Sequence, residues 1–553
     1  MEDLHASRAL VRSHEQELEV LLRQGLFKPI FLYHVVLFQC LPLIGLMIRR
    51  RALRCMLFAV CLGFAFDVFK NRRALMGGNG YMLGLITAWW LVWNATLLIH
   101  TDVERDFQRI ERSVSADVKP AKGETALSSL TKTMDQEFDM TQVDGQPNSD
   151  VDGITIHHAT KSLSNGQHKP GLTEATNACA AEIFYWQPYP EKFSHRLNWC
   201  AGLLYNLRGP EWNWRAPHMG PIPRSVQTQL HPGTALENFP VVNDASIVHA
   251  RNRLRGAFLS FIISYLILDA LKFLMMHEPY FLGTAGPDSL PPFPISYLAS
   301  SHLLLRFYHC LISCVAVYVA LIFVTALNPI IFLGLSLAFP RASRKLAAAP
   351  LDASWLYSDT FGPFIEPILD NGLAGCWGRW WHQLFRYGFV ATARWILSFL
   401  PARLAQDSRV KPVVYVLVAF SISGFVHASG SYTQFRRTHP LSGPFLFFFM
   451  QGLAIIAENI FKTTILPKLP FRNTPRGLRR TANAVLVFCW LLYSGPFIAN
   501  DFARGGLWVM EPLPFSPIRA LGLAQNEGAW CWRESWFQYW NDGTYWGSGI
   551  RII

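Results

Sequence analysis

Two short stretches carry the residue types best suited to chemistry. The first is Gly375-Cys376-Trp377-Gly378-Arg379-Trp380-Trp381-His382-Gln383-Leu384-Phe385-Arg386, and the second is Ser421-Ile422-Ser423-Gly424-Phe425-Val426-His427-Ala428-Ser429. As a helix, the first stretch places Trp377, Trp380 and Trp381 on one side and Arg379, His382 and Arg386 on the other. In the second, His427 closes an apolar run that begins at Pro412, with Ser423 one helical turn before it. An ionisable side chain at membrane depth is costly, so a histidine there points to function. An imidazole, with an ordinary pKa of about 6.5, can take a proton from a hydroxyl at cytosolic pH. The alkoxide so formed attacks a thioester directly, with no covalent enzyme intermediate, and base assistance of this kind contributes ~10²- to 10⁴-fold. Taken singly, each stretch is equally compatible with a plainer role: His427 as a helix-end residue at the headgroups, and the tryptophans as an interfacial belt.

The elements that must position these residues are membrane helices. The chain has 553 residues, of which 51% are hydrophobic and only 16% charged, with mean hydropathy +0.19. That balance excludes an ordinary soluble protein and predicts an all-α, polytopic bundle of about seven to nine spans around an intramembrane chamber. The 19 Trp and 40 Phe suit headgroup anchoring and packing in hydrocarbon. A net charge of +12 does not point to nucleic acid, because the basic residues flank apolar runs. It fits cytosolic loops, or a polyanionic substrate such as a CoA thioester. The 10 cysteines form no CxxC pair and no zinc spacing with histidine, so no metal and no disulfide framework is expected.

Along the chain, residues 1–100 predict N-terminal spans. Leu26–Ile48 comes first, as an uncleaved signal, followed by Arg49-Arg50-Arg51 and Arg54. Cys55–Phe69 is short for a crossing and contains Asp67, which suggests a re-entrant or interfacial segment, while Gly80–Ile99 is a full span. Residues 101–181 are polar and predict a largely disordered loop. Residues 182–255 form a Trp/Arg/Pro-rich extramembrane connector, whose turn Asn206–Arg215 suits either an interfacial loop or a surface docked on the membrane core.

Residues 256–500 predict the membrane core. Gly256–Met276 carries Asp269 and Lys272, spaced to pair, and Ser301–Phe339 divides at Asn328-Pro329 into a span and a shorter segment. Tyr387–Leu404, interrupted by Arg394, suggests a tilted helix. Pro412–Ala428, Pro444–Ile460 and Ala482–Ala499 are further spans. The linker between the last two holds Arg472, Arg476, Arg479 and Arg480, which suit the cytosol and also a phosphate contact. Residues 501–553 form a Trp/Gly-rich extramembrane tail.

No G-x-S-x-G, P-loop, H-E-x-x-H or G-x-G-x-x-G is present, and no histidine is followed four residues later by Asp. Trp377-Gly378-Arg379-Trp380-Trp381-His382-Gln383 and Ser423-Gly424-Phe425-Val426-His427 resemble the wax-synthase branch of the membrane-bound O-acyltransferase superfamily, specifically fungal enzymes that acetylate terpenoid or toxin alcohols. Asn206–Trp214 and Gly80-Tyr81-Met82-Leu83-Gly84-Leu85 resemble it more loosely, and the specific part covers about residues 355–462.

The resemblance implies His427 as general base and His382 as the residue that orients or polarises the acyl carbonyl, a position where many relatives have Asn. Arg379, Trp381, Gln383 and Ser423 are then the candidate substrate contacts, and Arg472, Arg476, Arg479 and Arg480 the candidate contacts to CoA phosphates. It also implies acyl-CoA, chiefly acetyl-CoA, as co-substrate without a further cofactor, a lipophilic alcohol arriving through the bilayer, and an endoplasmic reticulum location. A long-chain wax-ester synthase is the alternative within this class. From another class, a transporter would use Asp67, Asp269, Lys272, Arg306 and Glu458 as a relay, but the matching broken halves common in transporters are not visible.

Overall fold

The computed structural model describes residues 2–114, 182–230, 245–469, 474–523, 528–533 and 535–553. Most of the predicted loop, residues 115–181, lies outside them, as does Arg472. The architecture is a bundle of long helices: α1 (Glu2–Arg23), α2 (Leu32–Met47), α3 (Arg51–Asn71), α4 (Tyr81–Ala95), α5 (Phe193–Leu204), α6 (Ala245–Met276), α7 (His302–Asn328), α8 (Arg386–Leu397), α9 (Val410–Thr433), α10 (Leu446–Ile460) and α11 (Arg476–Arg504). Among the described residues, seven helical runs are long and apolar enough to cross a membrane: Arg51–Asn71, Tyr81–His100, Ile247–Met276, His302–Ala338, Val410–Thr433, Leu441–Lys468 and Arg476–Arg504. Their outward-facing Leu, Ile, Val and Phe side chains, such as Leu259, Ile263, Val324 and Phe488, suit a lipid surround rather than water.

The fold departs from three of the sequence expectations. The stretch expected to be too short to cross, and so re-entrant or interfacial, is a continuous 21-residue helix, α3, long enough to cross because it begins at Arg51. Arg54 is accommodated by bonds to the Ile48 carbonyl (2.6 Å) and to Glu104 (2.8 Å), and Asp67 is paired with Arg72 near the other end. The stretch expected to be the first full span gives only the 16-residue α2, because Ile30 and Phe31 are taken into a short strand, β1. The expected division at Pro329 does not occur. Proline cannot donate its backbone bond, and the helix meets this by widening into a π turn over Pro329–Leu333 before resuming at Gly334–Ala338.

Small strands tie the ends together. β2 (Arg109–Val114) pairs antiparallel with β3 (Glu182–Gln187), so residues 109–114 of the polar stretch are ordered. β4 (Phe537–Trp540) and β5 (Gly549–Ile552) form a hairpin whose β5 strand pairs with β1 through Ile30↔Ile552 and Phe31↔Arg551. The C-terminal tail is thereby fastened beside the N-terminal helices, and Met76 donates its N–H to the Ile553 carbonyl. Asp269 and Lys272 also reach this tail. Asp269 accepts from the Ile518 N–H (2.9 Å), and Lys272 donates to the Trp508 and Val509 carbonyls (2.6 and 2.9 Å).

α9 is the central helix, packed along α4 on one side and α10 on the other. Glycines allow this approach: a Cβ on Gly84 of α4 would stand 1.9 Å from the Ser429 carbonyl, and one on Gly424 of α9 3.0 Å from the Phe445 carbonyl. The connector is docked into the same core. Asn206 Oδ1 accepts from the N–H groups of Arg208 and Gly209, turning the chain so that Trp212 and Trp214 are buried against Trp199, Trp93 and Tyr387. Arg208 donates to the Ser358 and Asp359 carbonyls and Arg215 to the Trp355 carbonyl, binding the connector to the approach of the first reactive stretch.

Candidate active site

The first reactive stretch is helical only to Trp380. A short helix, Leu373–Gly375, leads into a π turn over Cys376–Trp380, after which the chain extends until α8 begins at Arg386. Arg379, His382 and Arg386 therefore do not share one helix face, contrary to the expectation from spacing. The side chain of Gln383 stabilises this ending. It donates to the Trp377 and Trp381 carbonyls (3.0 and 2.9 Å), which continued helix would have engaged, and accepts from Arg386 (3.0 Å). Gly362 donates to the Trp380 carbonyl (2.9 Å), and a Cβ at that position would lie 2.0 Å from the Arg379 carbonyl, so the segments touch backbone to backbone. At the other end, the buried Glu458 carboxylate accepts from the N–H groups of Leu373 and Ala374 (3.3 and 3.2 Å) and from Lys462 (2.9 Å). The stretch is thus held at its start by α10 and at its end by its own glutamine.

His427 projects from α9. Its Nδ1 lies 2.6 Å from the Tyr81 hydroxyl at the first position of α4, and its ring stacks on Phe448 of α10 with centroids 4.4 Å apart. Three helices thus fix one imidazole.

Both histidines line a single cavity of about 830 Å³. Arg379, Trp381, Gln383 and Ser423 line it too, so the structure gathers every site residue expected from the two stretches. Phe420, Phe448, Val416 and Ile455 make one part apolar, while Arg386 and His218 add polar groups. Burial and the nearby Arg208 lower the His382 pKa to about 4, so this ring is neutral at cytosolic pH. His218, from the turn Pro217–Met219 of the connector, is lowered to about 3 by burial and by Arg208, Arg386, Arg215 and His382.

The linker arginines stand elsewhere. Arg476, Arg479 and Arg480 do not line the cavity. Arg480 grips Asp370, which does line it, through two bonds of 2.6 and 2.8 Å, with Arg476 at 3.5 Å from the same carboxyl. That grip holds the Asp370 carboxyl below the usual carboxylate range. Sequence reasoning missed Tyr81 and His218 as site residues. Tyr81 stood within a noted resemblance without a role, and no spacing signal links either residue to His427.

These features define a polytopic helical membrane protein whose bundle encloses a chamber with two histidines, one of them in a span. Residues 357–450 match the membrane bound O-acyl transferase family, and this segment contains both histidines. Acetyltransferase eriL of Hericium erinaceus is 31% identical over 132 residues, 24% of this chain and 33% of that protein. O-Mevalon transferase macI of Penicillium terrestre is 31% identical over 126 residues, 21% and 29% of the two chains. O-Mevalon transferase yanI of Aspergillus niger is 26% identical over 280 residues, 48% and 53%. The chain thus spans between about a third and about half of the length of these curated relatives. No solved structure matches it.

Proposed function

We propose that this protein is an acyl-CoA:alcohol O-acyltransferase of the endoplasmic reticulum that esterifies a hydroxyl of a terpenoid or related secondary metabolite, with acetyl-CoA as the leading donor. His427 Nε2 takes the hydroxyl proton as the alcohol oxygen attacks the thioester carbonyl. The tetrahedral oxyanion is stabilised by a donor on the His382 side of the chamber. The C–S bond then breaks, and the proton held by His427 passes to the CoA thiolate, leaving ester and free CoA with the imidazole restored.

The observation that carries this reading is the meeting of His382 and His427 on one cavity, from two elements within the segment that matches the acyltransferase family. The acetyltransferase names of relatives support an acetyl donor, while two relatives are named for mevalon transfer. A chamber of about 830 Å³ has room for the larger group as well. Deleting the gene and restoring it separates these choices. An alcohol should accumulate on deletion, and restoration should return a product heavier by an acetyl group. A gain of a mevalonyl group would replace the donor assignment, a long-chain acyl gain would indicate a wax-ester synthase, and no acylated product would refute acyl transfer.

A further inference from the structure

The His427 ring has two nitrogens, and a base needs one of them free toward the substrate. Which one is free depends on what holds the other. Nδ1 faces the Tyr81 hydroxyl at 2.6 Å, and Phe448 covers one face of the ring. Tyr81 is itself immobilised. It is 3% exposed, sits edge-on to Phe502 at 5.2 Å, and lies so close to α9 that a Cβ on Gly430 would come within 2.8 Å of its ring.

The turn before Tyr81 is built to hold it there. Gly77, Gly78, Asn79 and Gly80 all have positive φ, between 56° and 89°. The Asn79 side chain donates to the Gly505 carbonyl just after α11 (2.8 Å), and the Gly80 carbonyl accepts from Thr433 at the end of α9 (2.9 Å). Glycines make this left-handed turn accessible, and pinning it from two helices gives the residue it delivers a defined place. Tyr81 also lies far outside the segment 357–450 that matches the family.

We propose that Tyr81 is a positioning residue that accepts the Nδ1–H of His427 and so presents the Nε2 lone pair to the cavity. This rests on the reading of His427 as the base. The phenol acts through the histidine and need not touch the substrate. It fixes the tautomer and the ring rotation, the two properties that a base's second nitrogen controls.

The test uses the full chain in detergent, as wild type, Tyr81→Phe, His427→Ala and the double variant. The first readout is diethyl pyrocarbonate labelling of the His427 peptide by mass spectrometry. Wild type should accept one carbethoxy group, and Tyr81→Phe, with Nδ1 released, should accept two. Two groups on wild type, or a single group on a Tyr81→Phe protein that keeps its melting temperature, would overturn the proposal. The second readout is turnover of acetyl-CoA with farnesol. Tyr81→Phe should lower kcat by between about tenfold and the ~10²-fold lower bound of a whole general-base contribution, with KM for acetyl-CoA unchanged. The same change in the His427→Ala background should have no further effect. A rise in KM alone, or a full additional loss in the double variant, would contradict a role exerted through His427. Labelling does not require turnover, so the expected pattern without ester formation counts against acyl transfer and not against Tyr81's hold on Nδ1.

Discussion

At the scale of single residues, His382 and His427 differ in how they are held. His427 is clamped between a hydrogen bond and a stacked ring, whereas His382 depends on the shape of the chain around it. His382 keeps a neutral ring down to a pH of about 4, against an ordinary 6.5. The unfolded chain takes up that proton as the pH falls below 6.5, and the folded chain does not. Stability is therefore lost as the pH falls from 6.5 toward 4, by on the order of 3 kcal/mol for a displacement of this size. His218 acts with the same sign. Melting temperature measured across this window should fall with pH in wild type and fall less steeply in His382→Asn. An equal slope in the two proteins would contradict the assignment. The same variant should retain part of its turnover, since an Asn side chain can still donate a hydrogen bond to an acyl oxygen.

At the scale of elements, the two reactive stretches were legible in the sequence but their shapes only in part. An apolar run ending in histidine predicts a span, and α9 is one. The tryptophan stretch has helical spacing, yet its helix stops at Trp380, because Gln383 offers the freed carbonyls a partner that periodicity does not encode. The division expected at Pro329 failed for a related reason: a π turn can absorb a missing bond without ending the helix. Tyr81 was hidden because its partner is 346 residues away. Two substitutions test these local devices. Gln383→Leu leaves two carbonyls without their donor and should cost about 1–3 kcal/mol of stability, with a loss of turnover from a displaced His382, read by melting and by ester formation. Gly430→Ala drives a methyl into the Tyr81 ring and should cost about 1–3 kcal/mol by overpacking. Unchanged melting in either variant would mean that these contacts do not support the site.

At the scale of the whole molecule, the bundle brings the connector, the two spans α9 and α10, the shorter helix α8 and the tryptophan stretch around one chamber, and the tail ties the C-terminal strand to β1. The charged residues of the rival transporter reading are engaged at separate places. Asp67 binds Arg72, Asp269 and Lys272 both bind the C-terminal tail, Arg306 the Tyr493 carbonyl, and Glu458 both Lys462 and the start of the tryptophan stretch. Proteoliposomes carrying the protein without an acyl donor should show no flux of the alcohol, and substrate-dependent flux would revive transport. The most direct test of the central claim is the rate of ester formation from labelled acetyl-CoA in microsomes carrying His427→Ala. With protein level matched to wild type, the rate should fall by at least ~10²-fold. Turnover at the wild-type rate would show that this imidazole is not the base.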